Sequence, residues 1–104
     1  MMSILLEFSM FPTDKGGSVS EDVSRVIHMI RESGVPYKLT AMGTIIETES
    51  MEQALDIVQR AYDLLSEDAG RIYSSLKIDA RGDKTNRLTG KIESIEGKIG
   101  QVNK

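Results

Sequence analysis

The segment that most constrains the fold is residues 37–47, near the middle of the chain, which predicts two short strands joined by a tight turn. Strand-forming residues flank Met42 and Gly43 on both sides. Because glycine adopts positive φ readily, we expect Met42 and Gly43 to form the turn, with Leu39 opposite Ile46. The chain on either side must then fold around a central β-hairpin.

Side chains alternate along a strand, so this hairpin would present two different faces. One face is mainly apolar and contains Leu39, Ala41, Thr44 and Ile46. The other is mixed and charged, with Lys38 opposite Glu47, and contains Lys38, Thr40, Ile45 and Glu47. A loop longer by one residue would exchange the faces of one strand relative to the other.

The flanking segments alternate between strand and helix periodicity. Residues 3–10 and 71–81 repeat with period two, and the apolar side of the second segment contains Ile72, Ser74, Leu76, Ile78 and Ala80. Two helices are predicted between the strands, with capping pairs Ser18/Glu21 and Ser50/Gln53 at their starts. The inner face of the second helix is expected to contain Met51, Ala54, Leu55, Val58, Ala61, Tyr62 and Leu65. This order predicts an α+β fold, the ferredoxin-like split β-α-β sandwich (βαββαβ).

An additional C-terminal helix is predicted over residues 86–102. Its apolar residues recur at intervals of four and three, which is the narrow stripe of a helix docked on another surface: Leu88, Ile92, Ile95, Ile99 and Val102. Gly90 and Gly97 each destabilise an isolated helix by about 1 kcal/mol. We therefore expect residues 1–104 to form a single domain in which 86–102 is an oligomer-stabilising helix packed on a second subunit. The alternative is that this helix folds over its own sheet.

Composition excludes several classes of function. Thirteen Lys and Arg against sixteen Asp and Glu give no basic footprint for nucleic acid. The chain has no cysteine, and His28 is its one histidine, so thiolate catalysis and an ordinary zinc or haem site are not expected. We expect no metal and no catalytic cofactor.

The N-terminal sequence predicts a cytoplasmic protein. Glu7 interrupts the first apolar run too early for a signal peptide. No segment approaches the roughly 20 apolar residues that span a bilayer. We therefore expect no membrane partner.

The sheet face away from the two predicted helices would be polar. It would contain Glu7, Ser9, Ile45 and Glu47, bordered by Lys38, Thr40, Tyr73, Ser75, Lys77 and Asp79. If two copies packed this face together, the buried carboxylates would need a compensating charge, which an organic cation could supply. The alternative is that Glu7 with Lys77, and Glu47 with Lys38, are solvated cross-strand pairs.

Three short patterns resemble the small thiamine-binding protein family of ferredoxin-like proteins. They are Glu7-Phe8-Ser9 with Pro12, Tyr37-x-x-Thr40-x-Met42-Gly43-Thr44-x-x-Glu47, and Lys91-Ile92-x-x-Ile95-x-x-Lys98. The resemblance covers nearly the whole chain. It implies a homodimer or homotetramer that binds thiamine, or its hydroxymethylpyrimidine part, without catalysis and as a ligand rather than a cofactor. It carries over these ligand-site positions: Glu7, Ser9, Tyr37, Thr40, Met42, Gly43, Thr44 and Glu47.

Other functions remain open on the sequence alone. Glu7 and Glu47 could act as an acid–base pair if their pKa values were split. The Gly16-Gly17-Ser18 segment before a helix could bind a small anion, although the phosphate-binding fingerprints are missing. A structural oligomerisation module is the plainest alternative. Tyr37 could equally be a core aromatic, and Gly43 could be present only for the turn.

Overall fold

The computed structural model describes residues 2–14, 16, 19–83 and 85–104. Within these residues the chain forms, in order, β1 (Ser3–Pro12), α1 (Ser20–Ser33), β2 (Tyr37–Leu39), β3 (Thr44–Thr48), α2 (Met51–Ser66), β4 (Ile72–Arg81) and α3 (Arg87–Ile99). The four strands make an antiparallel sheet in the order β2-β3-β1-β4. The predicted α+β ferredoxin-like fold with an extra C-terminal helix is confirmed.

The core lies between one face of the sheet and the helices α1 and α2. Alternate residues of β1 point into it, and all four are buried: Ile4, Leu6, Phe8 and Met10. Ile46 joins them from β3, and Val26 and Ile30 cover them from α1. The period-two pattern of residues 3–10 therefore predicted the buried side of the central strand correctly.

The two helix starts differ. At α2 the Ser50 Oγ accepts a hydrogen bond from the backbone N–H of Gln53 (3.1 Å), and the Gln53 Oε1 accepts from the Glu49 N–H (3.1 Å). The predicted cap of the second helix is thus confirmed. The predicted cap of the first helix at Ser18 lies outside the described residues, and so does the Gly17-Ser18 part of the candidate anion loop.

The hairpin has a longer loop than the sequence predicted. Leu39 lies opposite Thr44, and Lys38 lies opposite Ile45 rather than opposite Glu47. Residues 40–43 form a four-residue loop, so the register is displaced by two positions. An even displacement leaves the paired strand residues on their predicted faces, whereas Thr40 and Ala41, expected on the strand, lie in the loop.

Helix α3 lies on the second face of the sheet, the one opposite α1 and α2. It packs against β1 and β3 of its own chain. The alternative in which the tail folds over its own sheet is therefore the one observed, and a role of this helix in oligomerisation stays a prediction. Among the residues that the structure describes, none of the helices combines the length and the apolar character that spanning a bilayer requires.

Apolar residues are exposed along one flank of the molecule, where the sequence predicted burial. Met51, Leu55 and Tyr62 of α2 are exposed, and the buried face of that helix is formed by Ala54, Ile57, Ala61 and Leu65. Residues 73–80 of β4 are exposed on both faces of the sheet. β4 lies at the edge of the sheet, where the helices cover its apolar side less than they cover that of the central strand β1.

Candidate ligand-binding site

The residues predicted to bind ligand fall into two groups at opposite ends of the sheet. At one end the start of β1 meets the end of β3, with Leu5 opposite Glu47. At the other end Phe8 lies opposite Thr44, where the 40–43 loop folds back. Glu47 and Tyr37 lie at the first end, Glu7 lies between the ends, and the other five lie at the second: Ser9, Thr40, Met42, Gly43 and Thr44.

The Glu47 carboxylate holds the start of α3. Its Oε2 accepts hydrogen bonds from the Ser3 Oγ (2.5 Å) and the Arg87 backbone N–H (3.0 Å), and its Oε1 accepts from the Leu88 backbone N–H (3.2 Å). These backbone N–H groups belong to the first turn of the helix, where they lack intrahelical partners and where negative charge is stabilising. Glu47 therefore caps a helix distant in sequence.

Protonation of Glu47 is governed by the same contacts. Burial by itself raises the pKa of this carboxyl, but hydrogen bonds from Arg87, Ser3 and Leu88, together with the charge of Arg87, lower the pKa below its usual value of 4.5. The carboxylate is therefore ionised and supplied with donors. It has little capacity left to recognise a ligand.

Arg87 completes this end of the sheet. Its guanidinium donates to the Ser3 Oγ (3.0 Å), the Ser3 carbonyl (2.7 Å), the Asp79 carboxylate (2.8 Å) and the Asp79 carbonyl (2.6 Å). One side chain thus ties β1 and β4 to the helix start. Sequence reasoning missed Arg87, because an arginine 40 residues from its carboxylate leaves no spacing signal.

Tyr37 also serves a structural role. It is partly buried and packs against the hydrophobic core, as the plainer interpretation of the sequence expected. It also lines a cavity of about 550 Å³ between the start of β2 and the start of α3, together with Glu47, Asn86 and Leu88. Because the Glu47 carboxylate already accepts hydrogen bonds from Ser3, Arg87 and Leu88, it is not available to a ligand in this cavity.

The opposite end of the sheet contains an open cavity of about 230 Å³. β4 pairs with β1 as far as Pro12, whereas β3 pairs with β1 only as far as Phe8 within the described residues. The 40–43 loop and α1 enclose the space beside the uncovered part of β1. The cavity brings together five of the predicted residues, Ser9, Thr40, Met42, Gly43 and Thr44, and apolar side chains from the α1 side, Val19, Val23, Val26 and Ile27.

Thr40 fixes the shape of the loop. Its Oγ1 donates to the Gly43 carbonyl (2.8 Å) and accepts from the backbone N–H groups of Met42 (3.2 Å) and Gly43 (3.1 Å). The Thr40 backbone N–H also donates to the Gly43 carbonyl (2.9 Å). The Thr40 hydroxyl is therefore occupied by the loop itself, as threonine side chains often are in turns.

Gly43 is required for close approach rather than for positive φ. The positive-φ glycines in the described chain are Gly16, Gly34 and Gly100, so the conformational reason expected for Gly43 is wrong. A Cβ at position 43 would lie 3.0 Å from the Phe8 carbonyl oxygen and 3.8 Å from the Glu7 Cγ. The missing side chain lets the loop lie directly against β1 and beside Glu7.

Glu7 keeps an accessible carboxylate on the other face of β1, near Gly43, and does not itself line this cavity. It pairs with the Lys77 Nζ at 4.0 Å, and the Lys77 side chain is 80% exposed. Such a solvated pair contributes only a few tenths of a kcal/mol. The cross-strand pair is present as expected, and it leaves Glu7 able to accept hydrogen bonds or to compensate a positive charge.

The second end of the sheet thus offers apolar walls, a serine hydroxyl and a neighbouring carboxylate. Among the described residues the Ser9 hydroxyl has no hydrogen-bond partner, and Met42 is 84% exposed at the rim. The described part of the chain contains no group of three or more side chains suited to a metal ion. The arrangement suits a small, flat, partly polar organic molecule.

Comparison with known proteins agrees with this fold. A protein of Mycobacterium bovis is 35% identical over 95 residues, which cover 91% of this chain and 93% of the relative. A crystal structure of a hypothetical protein from Methanocaldococcus jannaschii matches with TM-score 0.80 at 34% identity, covering 91% of this chain and 97% of the other. A domain of unknown function from Bacillus cereus matches with TM-score 0.74 at 28% identity, covering 86% of each chain.

The family assignment rests on a match to the sequence model of a whole family. The sequence model of the family described as thiamine-binding protein matches residues 6–96 of this chain. That range contains all eight residues predicted to form the ligand site, and it also includes most of α3. The chain therefore belongs to the thiamine-binding protein family.

Proposed function

We propose that this protein binds thiamine, or a related hydroxymethylpyrimidine compound, in the cavity between the 40–43 loop, the end of β1 and α1. The observation that carries this proposal is the meeting of five predicted residues around one cavity beside Glu7. Membership of the thiamine-binding protein family supports the choice of ligand.

The size of the cavity limits how the ligand would sit. Pockets for drug-sized molecules usually measure about 300–1,000 Å³. At about 230 Å³ this cavity is smaller, so it would hold one ring while the rest of the ligand lies at the mouth. We place the pyrimidine ring inside, because the walls contributed by Val23, Val26 and Ile27 are apolar and would exclude a cation.

The polar groups at the rim would fix the orientation of the ligand. The Ser9 hydroxyl can both donate to a ring nitrogen and accept from an amino group. The Glu7 carboxylate would accept from the amino group or compensate the thiazolium charge at the mouth. Met42, exposed at the rim, would cover the ring face with its flexible thioether side chain.

The proposal is for binding without catalysis. An acid–base pair of Glu7 and Glu47 finds no support, because Glu47 is held by three donors at the start of α3. A homodimer or homotetramer in the cytoplasm, with the mouth of the cavity at or near a subunit interface, is part of the same proposal.

Calorimetric titration with thiamine, and separately with hydroxymethylpyrimidine, tests this function. Wild-type protein is expected to bind both, since the pyrimidine ring provides the buried contacts. Glu7→Gln is expected to weaken thiamine binding about tenfold, which corresponds to about 1.4 kcal/mol and to the loss of one charge-assisted interaction. The matched control is Glu52→Gln, an exposed carboxylate in the first turn of α2, which is expected to leave affinity unchanged.

Absence of both heat and thermal shift at millimolar ligand would overturn the proposal. If assembly persisted under those conditions, the protein would be an oligomerisation module instead. Equal thiamine affinity of wild type and Glu7→Gln would instead show that Glu7 does not contact the ligand.

A further inference from the structure

A second cavity adjoins the cavity of the proposed ligand site. It has a volume of about 220 Å³ and is lined by Val23, Ser24, Ile27, His28, Arg31 and Leu39. Three of these side chains, Val23, Ile27 and Leu39, also line the cavity of about 230 Å³ beside Ser9. The two cavities are therefore neighbours that share an apolar wall. We call the second one the Arg31 cavity.

The shared wall lets one ligand occupy both cavities. Leu39 is 59% exposed at the end of β2, so a ligand can extend along its surface from one cavity to the other. Each cavity alone is smaller than the roughly 300–1,000 Å³ that is usual for organic ligands, whereas the two together fall within that range. Val23 and His28 are five residues apart on α1, or about 7.5 Å along its axis, which suits a ring with a short side chain.

His28 and Arg31 supply hydrogen-bond donors at the far end of this path. They lie one turn apart on α1, and the Arg31 Nη2 is 3.2 Å from the His28 Nδ1. A guanidinium can only donate, so Nδ1 accepts and the imidazole proton is on Nε2. The Nε2–H and the remaining guanidinium N–H groups can therefore donate to a ligand, and the planar guanidinium matches the geometry of phosphate oxygens.

The charge at the Arg31 cavity favours an anionic group. None of the described residues that line it is acidic. The Ser24 hydroxyl already donates to the Ser20 carbonyl (2.7 Å). Arg31 lies in the last turn of α1, where the helix dipole by itself opposes an anion. The attraction must therefore come from the side chains of His28 and Arg31.

We propose that the ligand is a phosphate monoester of the pyrimidine compound, with the ring beside Ser9 and the phosphate between His28 and Arg31. Thiamine and hydroxymethylpyrimidine each carry a primary alcohol, and a phosphate ester is the derivative that adds negative charge at that end of the molecule. This inference rests on the proposed function, because it needs the ring in the cavity beside Ser9.

Calorimetric titration of the wild-type protein with each alcohol and its monophosphate tests the ligand class. Hydroxymethylpyrimidine phosphate and thiamine monophosphate are the two probes. The ester is expected to bind about tenfold more tightly than its alcohol, as one charge-assisted hydrogen bond would provide. A gain with either ester supports the proposal, and the larger gain identifies the ligand. Inorganic phosphate alone is expected to give no heat at the same concentration, because it lacks the ring.

Removal of one positive charge tests the position of the phosphate. Arg31→Gln is expected to bind ester and alcohol with equal affinity. The matched control is Arg60→Gln, which removes the same charge from the groove between α1 and α2 that His28 also lines. It is expected to keep the tenfold preference. Circular dichroism would verify that both variants are folded.

The His28 ring gives a readout that does not depend on affinity. His28 is the one histidine of the chain, so its ring signals in NMR spectra need no further assignment. Saturation with the ester is expected to move these signals, whereas saturation with the alcohol leaves them in place.

Three outcomes would overturn the proposal while the proposed function stands: alcohols that bind as tightly as their esters, a preference for ester that survives in Arg31→Gln, or one that is lost in Arg60→Gln. The last would place the phosphate in the groove between α1 and α2. If neither the alcohols nor the esters bind, the proposed function itself fails, and this inference fails with it.

Discussion

The two ends of the sheet carry similar residues that have different roles. At the Glu47 end, the chain itself satisfies the carboxylate, since Ser3, Arg87 and Leu88 all donate hydrogen bonds to it. At the Gly43 end, Ser9 lines a cavity that the chain leaves open, and Glu7 lies close to Gly43 without lining it. A carboxylate in a recognisable motif can thus be a helix cap as readily as a ligand contact, and only its donors distinguish the two roles.

Replacing Glu47 and Glu7 by alanine should give the largest difference in stability between the two ends of the sheet. Glu47→Ala is expected to lower the free energy of unfolding by about 2–3 kcal/mol, because it removes a charged acceptor and strands two backbone donors at the start of α3. Glu7→Ala is expected to cost less than about 0.5 kcal/mol, as its partner Lys77 is solvated. Urea denaturation measures both. Equal losses of stability would erase the proposed difference between the ends.

The packing of the 40–43 loop against β1 at the Gly43 end gives the next largest effect on stability. Gly43→Ala is expected to destabilise the protein by about 1–3 kcal/mol, because the new Cβ would press on the Phe8 carbonyl at 3.0 Å. Gly90→Ala in α3 is the control, since a Cβ there meets nothing within 4 Å. It should stabilise the helix by about 1 kcal/mol. Thermal melts of both variants check the opposite signs, and a stabilising Gly43→Ala would refute the close-approach explanation.

Acid should destabilise the Glu47 end of the sheet. Because the folded pKa of Glu47 is lowered from its usual 4.5, its contribution to stability is present above pH 4.5 and is lost as the pH falls from there through the lowered folded pKa. As the pH falls through that range, the unfolding free energy of Glu47→Gln should therefore decrease less than that of the wild type. Unfolding free energies of wild type and Glu47→Gln measured from pH 3 to 7 provide the test. Parallel curves throughout would show that Glu47 has the same pKa folded and unfolded.

The sequence predicted the fold well because periodicity reports which side of a strand is buried. The alternation from Ile4 to Met10 identified the core face of β1, and the even displacement of the hairpin register kept Leu39 and Ile46 on their expected side. The order of helices and strands then left one compact topology.

The contacts of the candidate site residues were predicted less completely than the fold, for physical reasons. Periodicity assigns Glu47 to a face but cannot tell which distant segment will arrive there, and Arg87 arrives from 40 residues away. The pattern of β4 indicates alternation, and the fold places the strand at an edge, but neither shows how far the helices extend over it, so the exposure of Leu76 and Ile78 was missed. The conformational reason expected for Gly43 was wrong, because its close contact with Phe8 depends on a neighbour that only the three-dimensional structure shows.

Titration of ¹⁵N-labelled protein with thiamine, followed by amide chemical shifts, tests the central claim most directly. The account predicts that the largest shifts occur at Ser9 and residues 40–44, with little change at the start of α3. Shifts centred instead on Tyr37 and residues 85–89 would place the ligand at the Glu47 end and contradict the account.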